Sequence, residues 1–263
     1  MPLRLAILLV VALSAGQEPP RLGFAVGARF RTRQHAEAVF TYRVAGTEDD
    51  ETLLHFTVDA DLEWKILKAD GPSFHCDVTP RSYRIDFKDK KVTLELKDGK
   101  FTSLLEDGAP EIPGLTKPFL VTLAESGKIE KVVPADGASP MIARFLLDAP
   151  PSDTGSLTGW FGPLPLKIVA GQEWTTSRKA MLAREDFITL TATCVWVPKD
   201  RAIQGRFRAG GRNWPKDAVE EGEGTLAFDD KGRISSSKVA WSAKTKAGEF
   251  IGSFKSRLDV TEP

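Results

Sequence analysis

The sequence predicts an all-β protein, mainly an antiparallel meander, curved into a sheet or half-barrel with one short covering helix. Three observations carry that prediction. Apolar and polar residues alternate with a period of two, as in Leu54-Phe56-Val58, Val92-Leu94-Leu96 and Ile188-Leu190-Ala192-Cys194-Trp196, which is the pattern of a strand with one buried and one wet side. Turn dipeptides such as Asp70-Gly71, Asp98-Gly99 and Ser126-Gly127 separate the runs and supply the glycine that tight hairpins need. A helix has start and stop marks at one place: Ser139-Pro140 opens Met141 to Leu147, and Pro150-Pro151 ends it.

In chain order, residues 1–16 place Arg4 before an apolar run from Leu5 to Leu13 and the small residues Ser14, Ala15 and Gly16. That order is a signal peptide's, so the mature protein is expected to be exported, periplasmic or secreted. The apolar run falls short of the ~20 residues of a membrane span. A lipoprotein signal needs a cysteine after the cut, where Gly16 or Gln17 stands. Residues 17–21 form a linker.

Residues 22–137 then read as an N-terminal β-meander. Strands are expected from Phe24 toward Arg33, over Ala38 to Val44, Leu54 to Val58 and Leu62 to Ile66, the last two joined through Asp59-Ala60-Asp61. Phe74 to Val78, Tyr83 to Phe87, Val92 to Leu96, Phe119 to Leu123 and Ile129 to Val133 follow. Residues 138–165 hold the helix and a junction rich in proline and glycine. There Pro163 and Pro165 cannot donate to a ladder. Residues 166–263 form a C-terminal β half, with strands over Ile188 to Trp196, Ile203 to Phe207, Leu226-Phe228, Val239 to Trp241 and Phe250 to Val260, and an irregular loop from Gly210 to Gly224. The halves read as a pseudo-repeat: FAVGARFRT (Phe24 to Thr32) aligns Gly27 and Phe30 with Gly171 and Trp174 of IVAGQEWTT (Ile168 to Thr176).

Chemistry is harder to find. Lys+Arg and Asp+Glu number 36 each, so net charge gives no reason to expect nucleic acid as a partner. The motifs of a nucleophile elbow, a zinc protease, a P-loop and a dinucleotide fold are all missing. The acidic turn Gly46 to Glu51 lacks the calcium-loop spacing. Arg184-Glu185-Asp186 reads as a charged strand entrance. His35, His55 and His75 stand alone, the last two on the wet side of their strands. No cofactor and no metal is expected, and no catalytic residue can be named. Cys76 and Cys194 can pair, closing a loop worth about 4–5 kcal/mol in the chain-entropy model, or pack as two buried thiols. Of six tryptophans, Trp64, Trp196 and Trp241 fall in strand alternation and read as core. Trp160-Phe161 and Trp214 lie in Gly/Pro loops and are the candidate ligand-contact residues.

Two resemblances follow from these residues. PLPLKIVAGQEW (Pro163 to Trp174) is similar to the P-x-x-P-v-x-v-G-[DQ]-x-W pattern of uncharacterised exported bacterial β-rich proteins, with Gln172 where aspartate is usual. The layout of signal peptide, meander and covering helix resembles the periplasmic lipoprotein-carrier half-barrels, which implies an acyl chain held between sheet and helix. The expectation is therefore a non-enzymatic exported binding protein for an apolar or amphipathic, lipid-like ligand. The alternative is a structural or protein-interaction module of the cell envelope, and an exported hydrolase comes third. A carrier requires an apolar cavity of several hundred Å³. An interaction module requires a filled interior with an open edge or apolar patch.

Overall fold

The structure, a computed structural model, describes residues 24–43, 50–105, 114–135, 138, 140–147, 156–165, 167–181, 187–210, 214–245 and 250–262. The signal peptide, the linker, Ser139, Pro150-Pro151 and Arg184-Glu185-Asp186 lie outside them, as does most of the acidic turn. The strands are β1 Arg29–Arg43, β2 Asp50–Asp70, β3 Ser73–Phe87, β4 Val92–Lys97, β5 Lys100–Leu104, β6 Phe119–Ala124 and β7 Ile129–Val133. After α1 (Pro140–Leu147) come β8 Glu173–Met181, β9 Phe187–Val197, β10 Ala202–Gly210, β11 Val219–Phe228, β12 Ile234–Lys244 and β13 Phe250–Thr261.

All thirteen join one open antiparallel sheet in the order β5-β4-β3-β2-β1-β13-β12-β11-β10-β9-β8. β6 pairs the first stretch of β3, Ser73 to Val78, while β4 pairs its last, Tyr83 to Phe87; β7 then pairs β6. The first and last strands therefore meet mid-sheet, Arg31 opposite Thr261 through Tyr42 opposite Phe250. The two expected halves share one sheet, and their openings fold alike. Gly27 and Gly171 have φ of 84° and 73°. Each closes a turn and donates its N–H to the neighbouring strand, at Ile66 O (2.9 Å) and Trp196 O (3.2 Å).

Strand lengths differ from the sequence reading. β2 runs unbroken through Asp59-Ala60-Asp61 because the alternation never lapses: Val58, Ala60 and Leu62 are buried. Asp59 and Asp61 stand on the other face, against His35 (2.7 Å), Arg33 (3.5 Å) and Arg31. Asp59 and Asp61, turn-like in sequence, are thus rungs of an ion-pair ladder. β1 likewise continues through the gap expected after Arg33. β11 begins inside the expected loop, because Gly222 and Gly224 are strand residues that make room for aromatic rings: a Cβ on Gly222 would lie 2.6 Å from Trp241 Cδ1.

The sheet has one apolar face, lined by Phe40, Phe56, Leu62, Trp64, Ile85, Leu94, Leu190, Trp196, Phe207, Trp241 and Phe254, all buried. The opposite face carries ion pairs, among them Arg81–Glu63, Arg84–Asp86 (2.7 Å) and Arg257–Asp259 (2.7 Å). α1 covers the apolar face as expected, packing Phe145 edge-on against Phe56 (5.7 Å) and Phe87 (5.2 Å). Cys76 and Cys194 are free and buried. They sit in β3 and β9, with six strands between them, so the alternative of two packed thiols holds and the disulfide does not form. His55 and His75, expected in water, are half-buried. The Lys88–Lys90 turn folds back over β2, where the His55 N–H donates to Asp89 Oδ1 at 3.4 Å, and His55 Nε2 is shut off from solvent.

Candidate functional site

Topology sets the site. The chain leaves β7 on one flank of the sheet and returns at β8, the far edge, so the segment between must cross the sheet. It crosses on the apolar side. Residues 156–165 and 167–168 belong to a strap that buries Leu157, Trp160, Phe161, Leu164 and Ile168. Leu157 and Leu164, on either side of its turn, are tied to the Ser126-Gly127 turn, where Gly127 O accepts the Leu157 N–H (2.9 Å) and Ser126 O the Leu164 N–H (2.8 Å). The residues between them are tied to β8: Thr176 Oγ1 donates to Phe161 O at 2.9 Å and Arg178 Nη1 to Gly159 O. Buried Arg178 also lies with its guanidinium 5.8 Å from the centre of the Trp160 ring, within cation–π range.

The strap corrects the expected contact surface. Trp160 and Phe161 are 7% and 0% exposed. Gly159 and Gly162, at φ 58° and 67°, roll this short turn so that both rings point into the sheet, Trp160 onto Phe254 (4.1 Å) and Phe161 onto Phe207 (5.5 Å). Trp214 is half-buried, 5.1 Å from Phe250 and 5.7 Å from Trp241, and donates Nε1–H to Glu220 at 3.0 Å. The three candidates do not form one exposed surface. Trp160 and Trp214 pack on different residues of β13, and the Gly/Pro loops that suggested exposure instead fold large apolar groups inward.

Between strap and sheet lies a hollow of about 140 Å³, walled by Phe24, Ala28, Phe30, Leu157, Ile234 and Val260. Phe24, Phe30 and Trp64 stack in sequence behind it, with centroids 5.8 and 5.4 Å apart. Its polar rim is Arg29, Asp229, Arg233 and Glu262. Arg233 grips Asp229 (2.7 Å) and Glu262 (2.6 Å). Hydrogen bonding to Arg233 holds the Glu262 carboxyl below its usual range. Burial pushes Asp229 upward, but bonds from Arg233 and the Lys231 N–H outweigh it and leave its carboxyl low as well. Arg29 is half-exposed and 3.7 Å from Glu63, so its charge reaches the rim loosely held. The sequence signal for this wall is the aromatic pair Phe24…Phe30 at the entry to β1, which by itself marks only the opening of a strand.

The ion-paired face has two shallower hollows, one of about 770 Å³ around Glu173, Arg206, Glu223 and Lys238, the other of about 460 Å³ around His35, Asp59, Arg84 and Glu95. In the first, Glu173 is paired with Arg206 (2.8 Å); in the second, Asp59 with His35 and Arg84 with Glu95 (3.9 Å). Among the described residues, no three His, Cys, Asp or Glu side chains converge as metal ligands, and no helix is long and apolar enough to cross a membrane.

No protein-family model matches the chain, the Pro163 to Trp174 pattern included, and no curated protein matches it. Among solved structures it is similar to lipovitellin, from work on lipid–protein interactions in that protein, at TM-score 0.45 and 8% identity over 91% of this chain. The chain spans about a quarter of the lipovitellin chain (26%). It is also similar to the translocator domain of the autotransporter NalP from Neisseria meningitidis, at TM-score 0.33 and 9% identity, over 91% of this chain and 90% of that one. These likenesses concern an extended antiparallel sheet and do not bear on what this chain binds.

Proposed function

We propose that this chain is an exported, non-enzymatic binding protein that holds the apolar part of a small amphipathic ligand between the strap and the sheet. The observation that carries the reading is the hollow under Leu157, with apolar walls inside and Arg29 and Arg233 at the rim. A cavity of such volume takes a group about the size of benzene, well below the several hundred Å³ of a full carrier cavity. The ligand is therefore a short apolar group with a polar head, or a longer one that lifts the strap.

Native mass spectrometry of protein purified from its own host, together with calorimetric titration of octanoate, tests this. A bound mass or saturable octanoate binding that Leu157→Trp abolishes supports it; neither signal overturns it. The apolar face elsewhere buries large side chains such as Phe56, Phe207, Trp241 and Phe254, which favours a second reading, a protein-interaction module of the cell envelope. The specific observation behind that reading is the open edge at β8.

A further inference from the structure

β8 ends the sheet, and among the described residues no strand pairs its free side. An open sheet edge templates another strand, and proteins blunt such edges with proline, bulges, short length or charges. β8 has no proline or bulge and is not short; its charges are Glu173 and Lys179 near its two ends and the inward-pointing Arg178, which is held by Gly159 O of the strap. It runs nine residues, EWTTSRKAM, without proline, in unbroken register with β9 from Glu173 opposite Val195 to Met181 opposite Phe187. Glu173, Thr175, Ser177 and Lys179 are exposed on the ion-paired face, while Trp174, Thr176 and Arg178 turn toward the apolar one.

Residues directly opposite in an antiparallel pair share a face of the sheet. Two β8 strands related by a twofold axis therefore meet only with one residue on that axis. With Thr176 there, Glu173 of each copy opposes Lys179 of the other, Thr175 opposes Ser177, and Trp174 opposes Arg178. With Thr175 on the axis Glu173 would face Ser177, and with Ser177 on the axis it would face Met181. Only the Thr176 register puts opposite charges together at both ends.

We propose that β8 pairs antiparallel with β8 of a second copy, Thr176 lying on the twofold axis, so that two thirteen-stranded sheets join into one. This names the partner for the interaction reading and rests on it, and it is independent of the hollow. Sedimentation velocity over a concentration series, combined with amide hydrogen exchange along β8, tests it. The expected result is a concentration-dependent dimer in which the β8 amides pointing away from β9 are protected. Glu173→Lys and Lys179→Glu should each weaken the dimer on the order of tenfold, since like charges then face each other twice, and the double variant should restore it. A protein that stays monomeric with those amides protected overturns self-pairing alone, because something else covers the edge. A monomer with freely exchanging amides overturns both self-pairing and the interaction reading. A dimer that is weakened by both single variants but not restored by the double overturns the register.

Discussion

Phe161 sits over Gly205, and a Cβ placed on Gly205 would lie 2.9 Å from Phe161 Cε1. Gly205 is paired across the ladder with Gly224, where a Cβ would come 2.9 Å from Phe207 Cε2 and 2.7 Å from Lys238 O. Two facing glycines open a socket in the sheet, and the edge-to-face rings of Phe161 and Phe207 fill it. The strap is thus fitted to this sheet by shape.

Gly205→Ala should accordingly cost about 1–3 kcal/mol by overpacking, and Phe161→Ala about 3–5 kcal/mol by leaving a cavity. The double variant should cost less than the sum, since the new methyl occupies part of the vacated space. Urea midpoints at unchanged m-value measure all three; strict additivity would show that the two positions do not share a socket.

That fit explains what the sequence could and could not reveal. Alternation made Leu94, Leu190 and Trp241 legible as core, and all three are buried. Proline and glycine marks such as Pro140, Gly71 and Gly99 likewise made the helix and most turns legible, because these depend on neighbours a few residues apart. The gaps arose where a short-range signal had a long-range cause. Asp59 and Asp61 look like turn residues until β1 brings Arg31 and Arg33 alongside. Gly222 and Gly224 look like loop until Trp241 and Phe207 claim the space. Trp160 and Phe161 look exposed in a Gly/Pro segment until the crossing from β7 to β8 lays them on the sheet. The hollow was illegible for the same reason, since the pairing of β1 with β13 brings Val260 to the β1 entry and the bond to Gly127 O sets Leu157 in the strap beside them.

Trp64 donates its indole N–H to Thr32 Oγ1 at 3.0 Å, with both residues buried. Thr32→Val keeps the shape and removes the acceptor, leaving a buried donor unpaired, so it should destabilise by about 1–3 kcal/mol. Asp61→Asn on the ion-paired face should cost at most about 1 kcal/mol despite losing two arginine contacts, because exposed pairs are screened and entropically costly. Thermal unfolding of the two variants side by side checks the order. A larger loss at Asp61 would mean that the outer ladder outweighs the buried bond.

Acid should destabilise the fold through Asp86 and Asp229. For Asp86, burial works to raise the carboxyl, but hydrogen bonds from Arg84, Thr93 and Thr57 overcome it and hold it low; Asp229 is likewise low. A carboxyl with a depressed folded-state value stabilises above its unfolded value, about 3.9. That contribution disappears as pH falls through the folded value. Stability should therefore begin to drop near pH 4 and keep falling below it. Asp86→Asn should flatten the slope, and denaturant midpoints between pH 5 and pH 2 measure it.

Alkali should act through the thiols. Burial pushes Cys76 and Cys194 from 9.0 up to about 12, and it raises Tyr83 against the opposing hydrogen bond from the Leu115 N–H (3.0 Å). An acid that stays neutral in the folded state while it ionises in the unfolded one contributes its full stability below the unfolded value. It loses that contribution as pH rises toward the folded value. Stability should thus decline from about pH 9 upward, as the unfolded chain gains thiolates that the native interior refuses. Native protein should leave both thiols unmodified by a disulfide reagent at pH 8 and expose both in denaturant, since reactivity follows thiolate and access. Cys76→Ala with Cys194→Ala should lower stability at neutral pH through lost packing yet flatten the alkaline slope. If the slope survives that double variant and vanishes in Tyr83→Phe, the phenol and not the thiols sets the alkaline limit.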